Sequence, residues 1–410
     1  MKSIYKKIGE NIQLMDERNN GLRIKQLLGL SISKEFIPSV ANTIGTDMEN
    51  YKIIRKNQFA CSTMQVRRDG KMPVALLQTV DEAIISQAYP VFEVKDEKCL
   101  LPEYLMMWFS RSEFDREACF HAVGGVRGGL EWEDFENMQL PIPPIKKQRE
   151  IVAEYNTIQN RIKLNEQLIQ KLEETAQAIY KQWFIEFEFP NEKGKPYKSS
   201  GGKMIWNEEL GKEIPKGWEV GKLCDVSECN PETISSNDNF KSILYLDTSS
   251  ITNNRITELQ ILDLENDEIP SRARRKVKDK DIIFSTVRPA LKHYGIIKNL
   301  PDNLIVSTGF AVIRVNAPNL FPELVYSFLT DEKTVAYLQA KAEMSVSTYP
   351  SVTSDDIMNL NFAKPNENVL EMARDIFKSK DDFVNLKNKE NQKLNEMKAL
   401  LLSQLVTIEK

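Results

Sequence analysis

One pattern constrains this chain more than any other: a plan laid down in the first half returns, in the same order, about 220 residues later. Lys56-Asn57-Gln58-Phe59-Ala60-Cys61-Ser62-Thr63 is paralleled by Asp279-Lys280-Asp281-Ile282-Ile283-Phe284-Ser285-Thr286. Both read as a turn leading into an apolar strand that ends in Ser-Thr and a basic segment. The stretch 86–94 is answered by 307–315. Leu101-Pro102-Glu103-Tyr104-Leu105 is answered by Phe321-Pro322-Glu323-Leu324-Val325, each opening an amphipathic helix, and 134–138 by 356–360. Pro143 and Pro365 close the two copies. Four ordered matches at one offset imply two mixed α/β domains of common plan, and 410 residues leave room for two or three domains with separate cores. Two unrelated α/β domains with generic strand and helix patterns are the alternative at this stage.

Each copy is followed by a long helical stretch. After Pro143-Pro144, apolar residues recur at Ile151, Tyr155, Ile158, Ile162, Ile169, Leu172, Ala176, Ile179 and Trp183, with polar Asn165 where another is due. That four-three spacing makes a seam for a partner helix, and a buried Asn in such a seam fixes register. At 1.5 Å per residue the helix is roughly 50 Å long. A second series runs through Val369, Ala373, Ile376, Phe383, Leu394, Met397, Leu401 and Leu405, with a polar middle at Lys380, Lys387 and Glu390. Between the first helix and the second copy, 190–216 is rich in Gly, Pro and Ser and reads as a polar linker.

Composition narrows the chemistry. No apolar run approaches the ~18 residues of a membrane span, and the first twenty residues have no apolar core before a cleavage site, so a cytoplasmic protein is expected. The five cysteines form no CxxC pair and their odd number argues against a disulfide framework; the two histidines, His121 and His293, have no partner at ligand spacing, so no metal site is expected. There is no GxxxxGK phosphate loop and no Asn-Pro-Pro-Tyr for gripping a flipped adenine. The glycine-rich run 123–129 precedes no long helix, which disfavours a nucleotide site. No active site and no cofactor are read. A net charge of −4 counts mildly against a self-sufficient DNA binder.

Three segments carry a family resemblance. Leu140-Pro141-Ile142-Pro143-Pro144-Ile145-Lys146-Lys147-Gln148 is similar to the proline-rich lead-in to the first conserved helix of type I restriction–modification specificity subunits. The stretch 172–190, ending Trp183-Phe184-Ile185-Glu186-Phe187-Glu188-Phe189-Pro190, resembles that family's helix exit. Ile214-Pro215-Lys216-Gly217-Trp218-Glu219-Val220 resembles the start of its recognition domain. The chain departs from the pattern where the first domain opens on Ile8-Gly9-Glu10-Asn11-Ile12, and where Phe362-Ala363-Lys364-Pro365-Asn366 lacks the double proline and the glutamine.

The resemblance implies an α+β protein whose two long helices form an antiparallel coiled coil between two pseudo-repeated mixed α/β target-recognition domains. Its expected divisions are recognition domain 1 at 1–142, spacer helix 1 at 143–189, a linker at 190–216, recognition domain 2 at 217–364 and spacer helix 2 at 365–410. It also implies a non-catalytic chain that reads a two-part sequence in double-stranded DNA. Two methyltransferase subunits and motor–nuclease restriction subunits would supply the chemistry. A stand-alone DNA-binding regulator and a coiled-coil scaffold that never touches nucleic acid are the rival readings.

Base reading needs donors on loops that enter the major groove. In the first copy these are Gln65, Arg67, Arg68 and Lys71 after the Ser-Thr strand end, and Arg127 in the glycine-rich turn. The second copy offers Thr286, Arg288, Lys292, His293 and Tyr294, then Ser345, Ser347, Thr348 and Tyr349. Arg272, Arg274, Arg275 and Lys276, with Lys278, form the densest basic run, better suited to phosphates than to bases.

Overall fold

In a computed structural model the chain is α+β; the structure describes residues 5–39, 45–123, 128–235, 237–299, 301–344 and 349–406. It divides into two units, one of residues 1–166 with 387–410 and one of residues 167–386.

The first unit is built on a four-stranded antiparallel sheet in the order Ile12–Met15, Val91–Val94, Phe59–Cys61, Val74–Leu76. Successive side chains leave a strand on opposite faces. Phe59 and Cys61 therefore join one buried cluster while Ala60 joins another. With both faces covered, the strand reads as an unbroken apolar run rather than an alternation. Helices Pro102–Phe109 and Ser112–His121 contribute to the first cluster. The second cluster draws on a smaller sheet, in which Lys52–Arg55 pairs with Glu82–Ile85 and a hairpin of Leu28–Leu30 and Phe36–Pro38 joins through a parallel bridge from Leu27 to Ile84. Tyr5–Lys7 pairs with Gln139–Pro141.

The second unit repeats this plan strand for strand. Its main sheet runs Ser227–Cys229, Phe310–Val315, Ile282–Ser285, Tyr294–Ile296. Its other sheet runs Gln260–Asp263, Ser242–Leu246, Leu304–Ser307, Ala273–Lys276, with the middle pair parallel. Helices Pro322–Thr330 and Glu332–Glu343 follow, and Glu219–Lys222 pairs with Asn361–Lys364. The repeat read from the sequence is thus a structural duplication, and it extends to the second sheet of each unit.

Two long helices, Ile145–Tyr180 and Glu367–Gln404, each contribute to both units. Within the first unit they run antiparallel. The Lys398 ammonium donates to Gln159 at 3.2 Å, the Asn165 amide donates to the Asn391 side chain at 2.8 Å, and Arg161 pairs with Glu390 at 2.6 Å. Asn165 is 2% exposed, the polar seam position expected from the sequence. Within the second unit Ala176 and Tyr180 share a core with Val369, Ala373 and Phe377. The second apolar series differs from the structure at three positions: Ile376, Phe383 and Met397 lie on exposed surface, and Phe377, next to Ile376, is buried instead. Ile376 and Phe377 are adjacent and both apolar, so periodicity alone could not choose between them.

The helix starts are fixed differently. Gln148 is fully buried; its side-chain oxygen accepts from the Leu101 amide at 2.9 Å, and its amide donates to the Cys99 and Pro143 carbonyls, each at 2.8 Å. The second helix has no such glutamine; the Asn366 side chain instead accepts from the Val369 amide at 3.1 Å as an N-cap. The first helix ends in a π-turn at Lys181–Ile185. Beyond it Phe189 stacks on Tyr197 and on Trp218, and Phe187 meets Trp218 edge-on. The stretch 190–216 carries an antiparallel hairpin of Met204–Asn207 with Lys212–Pro215, and its glycines and prolines serve the turns around it.

Replacing Gln148 by Ala orphans one buried amide and two carbonyls, and should lower the stability of the first unit by roughly 3 kcal/mol in denaturant titration. Beside Arg161 and Lys387 the Glu390 carboxyl is held at about 2, below the ordinary 4.5. A depressed carboxylate stabilises the folded state above its unfolded value, and that contribution is lost as pH falls through the folded one. The difference in unfolding midpoint between wild type and Arg161→Gln should therefore be largest near neutrality and close between pH 4.5 and about 2. A difference independent of pH would exclude the ion pair as its source.

Candidate nucleic-acid interface

In each unit the loop after the Ser-Thr strand end is clasped by a returning loop. In the first unit the chain leaves Phe59–Cys61 and turns through Gln65 at φ 63°. It then forms the short helix Val66–Asp69 and leaves it through Gly70 at φ 64°. The returning loop donates the Leu130 amide to the Thr63 carbonyl at 2.8 Å, while the Arg67 amide donates to the Gly128 carbonyl at 3.3 Å. In the second unit the turn passes through Arg288 at φ 47°, the short 3-10 helix Pro289–Leu291, and Lys292 at φ 58°. There the Val352 amide donates to the Thr286 carbonyl and the Arg288 amide to the Pro350 carbonyl, both at 2.9 Å. The structure thus brings each post-strand loop together with its returning loop, two regions that the sequence reading singled out separately.

The predicted contact residues divide by their surroundings. Arg67, Lys71, Arg288 and Lys292 are exposed on the clasps, and no carboxylate pairs with them among the described residues. Arg68 is exposed too, although its guanidinium holds Asp69 at 2.7 Å. Gln65 is half-buried at the turn. The Arg288 guanidinium lies 5.6 Å from the centre of the Tyr349 ring, which is 61% exposed. Thr286 is engaged in the clasp, its hydroxyl donating to the Gly309 carbonyl at 3.0 Å. His293 is half-buried, with Nδ1 2.7 Å from the Ile251 carbonyl and 3.2 Å from the Thr252 hydroxyl.

Tyr294 is a core residue. It is 5% exposed, stacked on Phe284 with ring centres 5.5 Å apart, and burial pushes its hydroxyl up to about 12. The basic run is split by its strand, Ala273–Lys276. Arg272 and Arg274 are exposed with no carboxylate partner among the described residues. The Arg275 guanidinium, by contrast, is turned onto Asn230 and the Phe310 carbonyl, and burial lowers its pKa. Lys276 pairs with Asp238 at 2.6 Å and Lys278 with Glu232. Arg127, Ser345, Ser347 and Thr348 lie outside the described residues.

Sequence reasoning aimed at hydrogen-bond donors passed over Met64 and Leu291, apolar side chains 49% and 50% exposed at the two clasps. A large apolar residue between basic loop residues is the signal that would have flagged them. No described helix is long and apolar enough to cross a membrane.

Comparison with known proteins gives a consistent result. The profile of the type I restriction modification DNA specificity domain matches residues 41–174. A type I restriction enzyme HindI specificity subunit from Haemophilus influenzae is 28% identical over 44% of this chain and 39% of its own length. The MjaIX specificity subunit of Methanocaldococcus jannaschii is 25% identical over 75% of this chain and 68% of its own. Among solved structures, the type I restriction–modification S subunit from M. genitalium matches 98% of this chain and 95% of that one, at 12% identity and a TM-score of 0.51, a likeness of fold. The duplicated α/β unit and its paired helices stand beside a profile match to a DNA specificity domain in the first half of the chain. The chain is similar to type I restriction–modification specificity subunits, and the match to that domain's profile spans about a third of its length.

Truncating Tyr294 to Ala should cost roughly 3–5 kcal/mol, as for other buried aromatic rings, while Tyr294→Phe should stay within about 1 kcal/mol. Thermal unfolding of the two variants distinguishes a core ring from a surface contact, which would tolerate both.

Proposed function

We propose that this chain is the sequence-reading component of a type I restriction–modification complex. Each unit reads one part of a split target in double-stranded DNA, through the clasp loops of its Ser-Thr strand end. The paired helices set the interval between the two parts, and two methyltransferase subunits and motor–nuclease subunits bring the catalysis that the chain itself does not perform. The domain divisions expected from the sequence belong to this proposal. The observation that carries it is the duplicated clasp: two equivalent, positively charged loop pairs, each braced by backbone hydrogen bonds, are what a two-part reader needs. Exposed Arg272 and Arg274 are assigned to the DNA backbone, where point charge suffices. With a net charge of −4, the cationic surface that surrounds the DNA comes largely from partners.

Co-expression with a type I methyltransferase subunit tests this. A stable complex should form, bind duplex DNA far more tightly than the chain alone, and methylate a two-part motif in the host genome. The double variant Arg272→Ala/Arg274→Ala should weaken binding across sequences and flatten the slope of log K against log salt by about 1 per phosphate contact removed. Tight, specific binding by the isolated chain would favour a stand-alone regulator. Absence of any DNA binding by the complex would favour a scaffold.

A further inference from the structure

We infer that Arg67 and Arg288 are equivalent base-reading residues, one per unit, each seated by its returning loop to present the guanidinium edge to a guanine. The inference rests on the DNA-reading role proposed above and deepens it. The two arginines occupy the same place in the duplicated fold: both follow the central strand of the main sheet, and both donate their backbone amide to the returning loop. Both side chains are exposed and, among the described residues, neither has a carboxylate partner.

The seats differ in chemistry but act alike. In the first unit Gly128 leaves room for the arginine stem; a Cβ there would lie 2.7 Å from the Arg67 Cβ and 3.2 Å from its Cδ. Its φ of +31° disfavours a side chain independently. In the second unit Pro350 stands at the place of Gly128, and the Arg288 guanidinium lies over the ring of the preceding residue, Tyr349. One stem is laid against bare backbone and the other head is stacked on an aromatic face.

Such seating favours a base over a phosphate. A phosphate accepts a mobile point charge, whereas the O6 and N7 acceptors of guanine require a planar fork held in a fixed orientation. Arg272 precedes and Arg274 lies in the edge strand Ala273–Lys276 of the other sheet; the Arg274 Nε donates to the nearby Ser271 carbonyl at 3.3 Å, and no returning loop or aromatic ring seats either among the described residues. The clasps therefore discriminate, and the basic strand holds.

The test uses the full complex with its methyltransferase subunit and maps methylated bases in genomic DNA. Arg67→Lys should relax one position in one part of the motif, and Arg288→Lys one position in the other part. In each case the preference for guanine should fall roughly tenfold or more, because lysine keeps the charge and loses the fork. Gly128→Ala and Tyr349→Ala should relax the same positions as Arg67→Lys and Arg288→Lys respectively, so the seats report even if an arginine variant folds poorly. If the wild-type complex methylates a two-part motif and the lysine variants leave it unchanged, the base-reading assignment is overturned and the proposed function stands. If Arg288→Lys is silent while Arg288→Ala weakens binding to all sequences equally, the residue is a phosphate contact and the assignment is likewise overturned. A wild-type complex with no two-part motif overturns the reading and this inference with it.

Discussion

The pairing of the two long helices is the constraint on which each unit depends. Asn165 and Asn391 meet across 226 residues of chain, and Asn165 is buried on the face of the first helix that carries Ile158 and Ile162. An amide in that position is satisfied in one register only, so it stabilises one alignment of the helices at some expense in total burial. Around it, Arg161, Glu390 and Lys387 make a surface network that adds little stability singly but opposes slippage. Neither α/β unit has a complete core without helical residues. Ile151, Val152 and Leu405 close the core of the first, and Tyr180, Trp183, Val369 and Phe377 close that of the second.

That arrangement explains why the chain has both local and distant order. The main sheets are antiparallel and dense with buried Phe, Ile and Val, so they position the loops at their strand ends with little freedom. The clasps inherit this rigidity: they leave buried strands, pass through left-handed residues, and are held by amide–carbonyl bonds from a returning loop. Functional side chains on loops braced by a rigid scaffold are a recurrent solution to recognition. The proposed reading loops use it twice.

The charge distribution follows the same logic. Arg275, Lys276, Lys278 and Arg314 neutralise Asp238, Asp281 and Glu232 or bind backbone, and so hold the second unit together. Arg67, Arg272, Arg274 and Arg288 pair with no carboxylate among the described residues, and the Arg274 Nε donates to the Ser271 carbonyl at 3.3 Å. A basic run in sequence is therefore a mixture of structural and available charge. Strand geometry sorts one from the other.

The sequence by itself determined the duplication, the two long helices, the polar position in their seam and the buried apolar strands, because each is a local pattern of side-chain period repeated in order. It also located the loops at the Ser-Thr strand ends. Only the tertiary structure decided what those patterns meet. It showed that Leu27 bridges Ile84 and that 190–216 carries a hairpin. It took Tyr294 into the core and put Arg288 over Tyr349. It also buried Phe377 rather than Ile376. These depend on contacts between residues far apart in the chain, and period, charge and composition are blind to which of two adjacent side chains a distant neighbour will cover.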